Sequence, residues 1–220
     1  MKTDDLIERL GTDLRPVRPL ASPGRRGAIW LTIAAGYILV VLVTSWFRRG
    51  ALLGVSTDPV YLLQQFALIA AAVPSAVAAF ASVIPGDSRR LRRMPLVAVA
   101  IVMLTFVWGM VRDVNIHGII GVGGETDWPC VVSIVAGGAI LWSVAAVMLR
   151  RGAPLAPAGT SLLAALAAVS LANVEACMTR SHAFSVTVLV WHGMTSMLVI
   201  AVAVALGRHV LAWPRAHTSG

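Results

Sequence analysis

Six long apolar runs dominate the hydrophobic pattern of this chain, and polar or turn-forming residues separate them. The runs cover residues 28–47, 61–84, 95–111, 129–149, 158–178 and 184–206. Each is close to the roughly 20 apolar residues that a helix needs to cross the hydrocarbon core of a bilayer. The runs are continuous and do not alternate with polar residues, which argues against a strand barrel. The pattern predicts an all-α bundle of six transmembrane helices within residues 28–211.

The composition agrees with a membrane protein. The mean hydropathy is +0.82, and charged residues make up 13% of the chain, about half of the usual 25% for soluble domains. A soluble core could not absorb so much apolar surface. We therefore expect the chain to lie in the lipid bilayer as a multi-pass protein.

The net charge of +8 could suggest nucleic acid, but its distribution fits membrane orientation better. With six spans, both termini fall on one side, and fourteen of the 18 lysine and arginine residues fall on that side too. The positive-inside rule makes that side the cytoplasm. Arginine greatly outnumbers lysine, a usage typical of a GC-rich bacterial genome. We expect a bacterial inner-membrane protein with both termini cytoplasmic and no direct contact with nucleic acid.

The two cysteines lie at the same predicted height. The fourth and fifth runs form a helical hairpin around the turn RRGAPLAP, and each of Cys130 and Cys177 lies 20 residues from its end of that turn. At 1.5 Å per residue this places both thiols about 30 Å from the turn, at the outward face. Rotation of each helix about its axis decides whether the sulfurs can meet, and spacing alone does not fix it.

Further polar groups with metal-binding or supporting chemistry lie near this height. They are Glu175, His182, His192 and, in the third loop, His117. Thiolate, imidazole and carboxylate are the ligands of zinc-like ions, and a carboxylate in lipid is a functional candidate by default. Simpler interpretations stay open: the cysteines as ordinary small apolar residues, Glu175 as a partner of Arg180, and His192 as a hydrogen-bonding group within the bundle.

The first 27 residues predict a cytoplasmic amphipathic arm, and residues 212–220 predict a cytoplasmic tail. In the arm, Leu6, Ile7, Leu10 and Leu14 share one helical face, while Asp4 and Asp5 suit the first turn. So short a helix is unstable alone and would order on docking into a partner. The alternative is a helix lying on the bilayer, which the arm's acidic residues disfavour because interfacial helices have basic polar faces.

These features together resemble a known family. The opening MKTDDLIERLGTDLRPVRPL, the six spans and the outward cysteines in DWPC and NVEAC are similar to the NrsF-type membrane anti-sigma factors, over essentially the whole chain. The resemblance implies a regulator, not an enzyme, that holds an extracytoplasmic-function (ECF) sigma factor at the membrane and releases it under heavy-metal or related stress. It makes Cys130 and Cys177 the sensing pair and the segment from Thr3 to Leu20 the sigma-contacting arm.

Three questions stay open at this point: the signal, the function and the oligomeric state. The implied sensor needs no obligatory cofactor, and a heavy-metal ion bound transiently by the cysteine pair or an oxidant would both suit thiols. A small transporter or metal exporter is the alternative function, although such proteins usually carry ionisable residues near the midplane. Small-residue helix faces would also permit self-association into a homo-oligomer.

Overall fold

The computed structural model describes Thr3 and residues 21–50, 56–84, 89–118, 128–152, 154–179 and 188–212. For residues 89–92, 117 and 188 it describes the backbone alone. The predicted arm, Thr3 apart, lies outside the described residues. So do Arg180, His182 and the tail from residue 213.

The described chain consists of six long helices and one short π-helical segment. They are α1 (Pro23–Arg49), α2 (Pro59–Ala81), α3 (Arg89–His117), α4 (Trp128–Arg150), α5 (Pro157–Thr179), the π-helical segment π1 (Val188–His192) and α6 (Gly193–Val210). Six helical stretches are long and apolar enough to cross a membrane, the last of which begins in π1. The prediction of an all-α architecture with six such helices is confirmed for the described residues, among which no strand occurs.

Local sequence accounts for several of the helix ends. A proline opens α1, α2 and α5, where the missing N–H has no helical partner to lose. Asp58 caps α2 by accepting from the backbone N–H of Val60. Gly50 ends α1 in the left-handed conformation with φ 71°, and its N–H donates to the carbonyl of Trp46. Pro74 lies inside α2 without ending it.

The third predicted run, 95–111, is shorter than the observed helix, which extends from Arg89 to His117. The first residues of the sixth run, 184–187, lie outside the described residues. From Val188 the path is π1, and it continues as α6 to Val210, four residues beyond the predicted end. His192 is the last residue of π1 and so lies in a π-helical turn at the junction with α6. Single π-turns occur frequently at functional sites.

Helix α5 is the centre of the bundle. It packs against α1, α2, α4 and α6, and 72% of its most apolar stretch is buried. Its alanines keep the helix thin, so four neighbours can approach it closely. Helix α6 approaches α5 closely at Gly207, where an added Cβ would overlap the side chain of Ser161. Only glycine fits there without movement of one helix.

Polar side chains tie the helices together at the end of the bundle that carries the starts of α1, α3 and α5, which we call the arm end. The indole of Trp142 donates to the hydroxyl of Ser161 at 3.0 Å, and that hydroxyl donates to the carbonyl of Ala203 at 2.7 Å. These two bonds join α4, α5 and α6. Arg26 of α1 is buried, donates to the carbonyl of Met148 near the end of α4 and lies over the ring of Phe80 of α2.

Candidate functional site

The opposite end of the bundle, which we call the cysteine end, carries the predicted sensory residues. It contains the last turns of α1, α3 and α5 and the first turns of α2, α4 and π1. Cys130 lies in the first turn of α4, Cys177 in the last turn of α5 and His192 at the end of π1. Asp58 and Arg112 brace its edge through an ion pair of 2.7 Å between α2 and α3.

Glu175 is held inside the cysteine end by hydroxyl groups. Its side chain is only 1% exposed. The hydroxyl of Ser133 on α4 lies 3.0 Å from both carboxylate oxygens, and the hydroxyl of Thr179 lies 3.4 Å from Oε1. Tyr37 of α1 is close enough to Glu175 to interact with it electrostatically. Hydrogen bonds of this kind are what a buried carboxylate requires.

A polar cavity of about 500 Å³ opens beside this carboxylate. Glu175, Ser133 and Thr179 line it together with the last turn of α1, including Arg48 and Arg49. The Arg49 guanidinium donates to the carbonyl of Thr179 at 2.8 Å. A cation at this position satisfies one of the last carbonyls of α5 and complements the negative end of its helix dipole. Helix α1 is thereby attached directly to the end of α5 that carries Glu175.

Cys177 has a separate environment on the other side of α5. Its sulfur lies 4.0 Å from Nδ1 of His192, which is 5% exposed. Tyr61 of α2 is close enough to interact electrostatically with the thiol. An imidazole beside a thiol can accept its proton, and the thiolate is the nucleophilic and metal-binding form of cysteine. The side chain of Cys177 is partly exposed, so reagents can reach it.

The packing contacts of α4 also fix the height of Cys130. Ser133 is level with Glu175, because their side chains are hydrogen-bonded. Helices α4 and α5 run antiparallel, so a step of three residues back along α4 corresponds to a step of three residues forward along α5. Cys130 is therefore level with residue 178. The close approach of Gly138 to Val199 gives the same result on the α6 side, where Cys130 is level with Trp191. The two cysteines and His192 therefore lie at nearly one height, as the hairpin symmetry of the sequence suggests.

The two cysteines nevertheless occupy differently directed faces. Cys130 shares the face of α4 that carries Ser133 and Gly137, and Gly137 meets Ala172 of α5. Cys177 lies five residues after Ala172, which at 3.6 residues per turn is about 140° around α5. Its sulfur contacts the imidazole of His192.

A buried amide is also level with Cys177. The hydroxyls of Ser82, the C-cap of α2, and Thr160 on α5 lie 2.8 Å apart. Gln65 and Cys177 are each 17 residues from that contact in antiparallel helices. Leu68 and Val174 share an apolar cluster, as this register requires. Oε1 of Gln65 is buried and has no hydrogen-bond partner in the described part of the chain. An orphaned buried acceptor is unusual and calls for an explanation.

The metal-binding prediction stays a prediction. No group of three or more His, Cys, Asp or Glu side chains within the described ranges is arranged to hold a metal ion. His182 and the side chain of His117 lie outside those ranges. Cys177 and His192 alone supply one sulfur and one nitrogen, fewer than the four ligands of a closed structural zinc site.

A comparison with protein families assigns the chain to one of them. A family model described as NrsF, negative regulator of sigma F, matches residues 10–213, which include the six apolar helices and both cysteines. The chain belongs to the NrsF family. No curated protein and no solved structure matches it. The expected membership of this regulatory family is confirmed.

Several contacts of this NrsF family member are absent from the sequence prediction. The hairpin symmetry that pairs Cys130 with Cys177 also places Ser133 opposite residue 174, so the Ser133–Glu175 bond could have been found from spacing. Sequence spacing could not have predicted the contributions of Tyr61, Gln65 and Arg49. These residues lie on α1 and α2, and the packing of those helices against α5 leaves no comparable signal in the sequence.

Proposed function

We propose that this protein is a membrane anti-sigma factor that binds an ECF sigma factor through its cytoplasmic arm and releases it when the thiols of the cysteine end react. Membership of a family of negative regulators of a sigma factor is the observation that carries the proposal. In this proposal the arm end faces the bacterial cytoplasm and the cysteine end faces outward, in the inner membrane. The partner is the sigma factor, and DNA is not contacted.

Thiol chemistry suits this signalling role because the two cysteines share a height but lie on differently directed helix faces. A disulfide requires Cα atoms within about 7 Å and Cβ atoms directed toward each other. Cys130 and Cys177 share a height, but Cys177 lies about 140° around α5 from the residue that meets α4. Joining them therefore requires α5 to turn or the last turn of α5 to unwind, and a heavy metal bound by both sulfurs would impose the same change.

Helix α1 offers a route from the cysteine end to the arm. Arg49 binds the last turn of α5, and Tyr37 lies near Glu175. At its other end α1 follows directly after the arm, and Arg26 fixes that end to α4. When α5 moves, the Arg49 contact changes, α1 shifts and the arm is presented differently. A coupling of about 1–3 kcal/mol between the two ends is typical of such regulation.

The first experiment tests the partner. The tagged full chain is purified from its own cells in detergent, and bound sigma factors are identified by mass spectrometry. We expect one ECF sigma factor to co-purify, and a variant with Leu6, Ile7 and Leu10 all changed to Asp should lose it. The control is Glu8→Gln with Arg9→Gln on the polar face, which should retain it. Normal binding by the Asp variant would refute the arm as the contact.

A further inference from the structure

An apolar cleft leads from the side of the bundle to His192, whose imidazole contacts the sulfur of Cys177. It has a volume of about 630 Å³ and lies between α2, α3, α5 and the π1–α6 path. Met103, Met194 and Met197 line it and are 45%, 63% and 69% exposed, so one side opens on the surface of the bundle. If the six apolar helices span a bilayer, that side faces lipid tails.

The cleft has the dimensions of a channel for a flexible chain. On the π1–α6 side its lining runs from Leu189 to Ile200, which is about 16 Å at 1.5 Å per residue. Thirteen of the eighteen lining residues are aliphatic, aromatic or methionine. Methionines adapt to irregular apolar ligands because their side chains are flexible and polarisable. A hydrocarbon tail fits this lining better than a polar or charged molecule.

The part of the cleft around His192 is polar and reactive, which a plain acyl chain does not require. His192 lines the cleft, and its Nδ1 is 4.0 Å from the sulfur of Cys177. Asn173 and Ser196 line the cleft about one helical turn from His192, and there the Asn173 amide donates to the Ser196 hydroxyl at 2.9 Å. Ser170, one turn before Asn173 on α5, also lines it. A ligand with an apolar tail and a small polar, thiol-reactive group would match both parts of the cleft.

The buried amide of Gln65 narrows the choice of reactive group. Its Oε1 is a hydrogen-bond acceptor without a partner in the described chain. Gln65 is level with Cys177 and lies one turn after Tyr61 on the same face of α2, and Tyr61 interacts electrostatically with Cys177. A thiol is a weak donor, whereas a sulfenic acid carries a strong O–H donor. A buried acceptor at the height of Cys177 can accept a hydrogen bond from the O–H of a sulfenic acid formed there.

We propose that Cys177 is a sensor of lipid hydroperoxides, which enter through this cleft with the acyl tail in the apolar channel and the hydroperoxide at the thiol. This inference rests on the proposed function, for which it supplies the chemical class of the signal. His192 takes the thiol proton, the sulfur attacks the distal peroxide oxygen, an S–O bond forms and the O–O bond breaks. The leaving alkoxide takes up the proton, so one thiol and one hydroperoxide give one sulfenic acid and one alcohol. Sulfur is oxidised by two electrons and the peroxide is reduced by two.

The sulfenic acid can then condense with the thiol of Cys130 to give a disulfide and water. Both thiols lie at one height, so the step needs rotation of α5 and no translation along its axis. The first oxidation thus creates the reactive group, and the second step would produce the change in packing that releases the sigma factor.

The test uses the purified full chain in phospholipid nanodiscs without any sigma factor. Linoleic acid hydroperoxide or hydrogen peroxide is added at equal concentration, and sulfenic acid at each cysteine is trapped with dimedone and quantified by mass spectrometry. We expect Cys177 to react with the lipid hydroperoxide at least about tenfold faster, because the cleft holds the tail and positions the peroxide. Equal rates for the two peroxides, or trapping mainly at Cys130, would overturn the proposal.

Two variants separate the cleft and the acceptor from general structure. Met103→Trp fills the cleft and should bring the two rates close together, whereas Leu104→Trp, its lipid-facing neighbour, should leave their ratio unchanged. Gln65→Leu should lower the yield of trapped sulfenic acid while leaving the alkylation rate of the Cys177 thiol unchanged. An unchanged rate ratio in Met103→Trp would refute entry through the cleft. Since no sigma factor is present, these outcomes are independent of whether the chain binds one.

Discussion

At the scale of single residues, the burial of Glu175 is the most demanding feature of the cysteine end. A carboxylate that is 1% exposed is tolerated because hydroxyl groups on α4 and α5 surround it. Removal of one hydroxyl should therefore be costly, since the partner left behind stays buried.

The variant Ser133→Ala tests this dependence. Ser133 is the α4 group that contacts both oxygens of Glu175, so its loss should lower the free energy of unfolding by about 1.5–3 kcal/mol, the range for hydrogen bonds to charged groups. Thr44→Ala is the control, because Thr44 is exposed and its hydroxyl donates, within the described residues, to carbonyls of its own helix. Reversible unfolding in detergent would measure both. Equal stability of the two variants would show that Glu175 does not depend on Ser133.

Gln65 gives the opposite expectation. Its buried Oε1 is unsatisfied in the described chain, so Gln65→Leu should raise the free energy of unfolding by about 1–3 kcal/mol. Gln64→Leu is the matched control, since the Gln64 amide donates to the carbonyl of Thr105 and its replacement removes a bond. The same unfolding measurement applies. A Gln65→Leu variant less stable than the parent would mean that the amide has a structural partner and not a functional one.

At the scale of elements, the hairpin of α4 and α5 follows from the sequence and the rest of the site does not. Turn position and antiparallel geometry suffice to bring Cys130 level with Cys177, because two helices joined by a short turn have only one register. The direction in which Cys177 faces depends on which neighbours surround α5. Those neighbours include α1 and α2, which are distant in sequence, so neither Tyr61 nor Gln65 could be assigned to the site in advance.

The centre of the bundle offers a direct test of the packing. Gly207→Ala places a Cβ where it overlaps the side chain of Ser161, so α5 and α6 must separate and the free energy of unfolding should fall by about 1–3 kcal/mol. Gly193→Ala in the same helix meets nothing within 4 Å and is the control. Thermal unfolding of both proteins in one detergent is the measurement. A Gly207→Ala variant as stable as the control would contradict the α5–α6 contact.

The coupling assigned to α1 is tested by Arg49→Gln. The substitution shortens the donor and removes the charge that complements the end of α5. We expect Cys177 to remain as reactive toward a thiol reagent, while the release of bound sigma factor after thiol oxidation falls severalfold. Arg48→Gln, the neighbouring arginine, is the control. Full release in Arg49→Gln would exclude this contact as the route.

At the scale of the whole molecule, the six apolar helices and the family are evident from the sequence because hydrophobic length and the cysteine contexts are properties of the chain itself. The signalling mechanism that we propose depends on how the helices pack in the bundle. It combines a thiol–imidazole pair on one side of α5 with a buried carboxylate on the other side. Helix α1 is attached to the last turn of α5, close to both groups. This arrangement makes α5 the element that chemistry at the cysteine end would move.

The central claim is that thiol chemistry at the cysteine end controls binding at the arm. The most direct measurement is the affinity of the nanodisc-embedded chain for its sigma factor before and after mild thiol oxidation, with Cys177→Ser and Cys130→Ser as matched variants. The account predicts an affinity loss of about tenfold or more in the parent, which corresponds to about 1.4 kcal/mol, and none in either variant. An unchanged affinity in the oxidised parent, or an equal loss in Cys177→Ser, would contradict it.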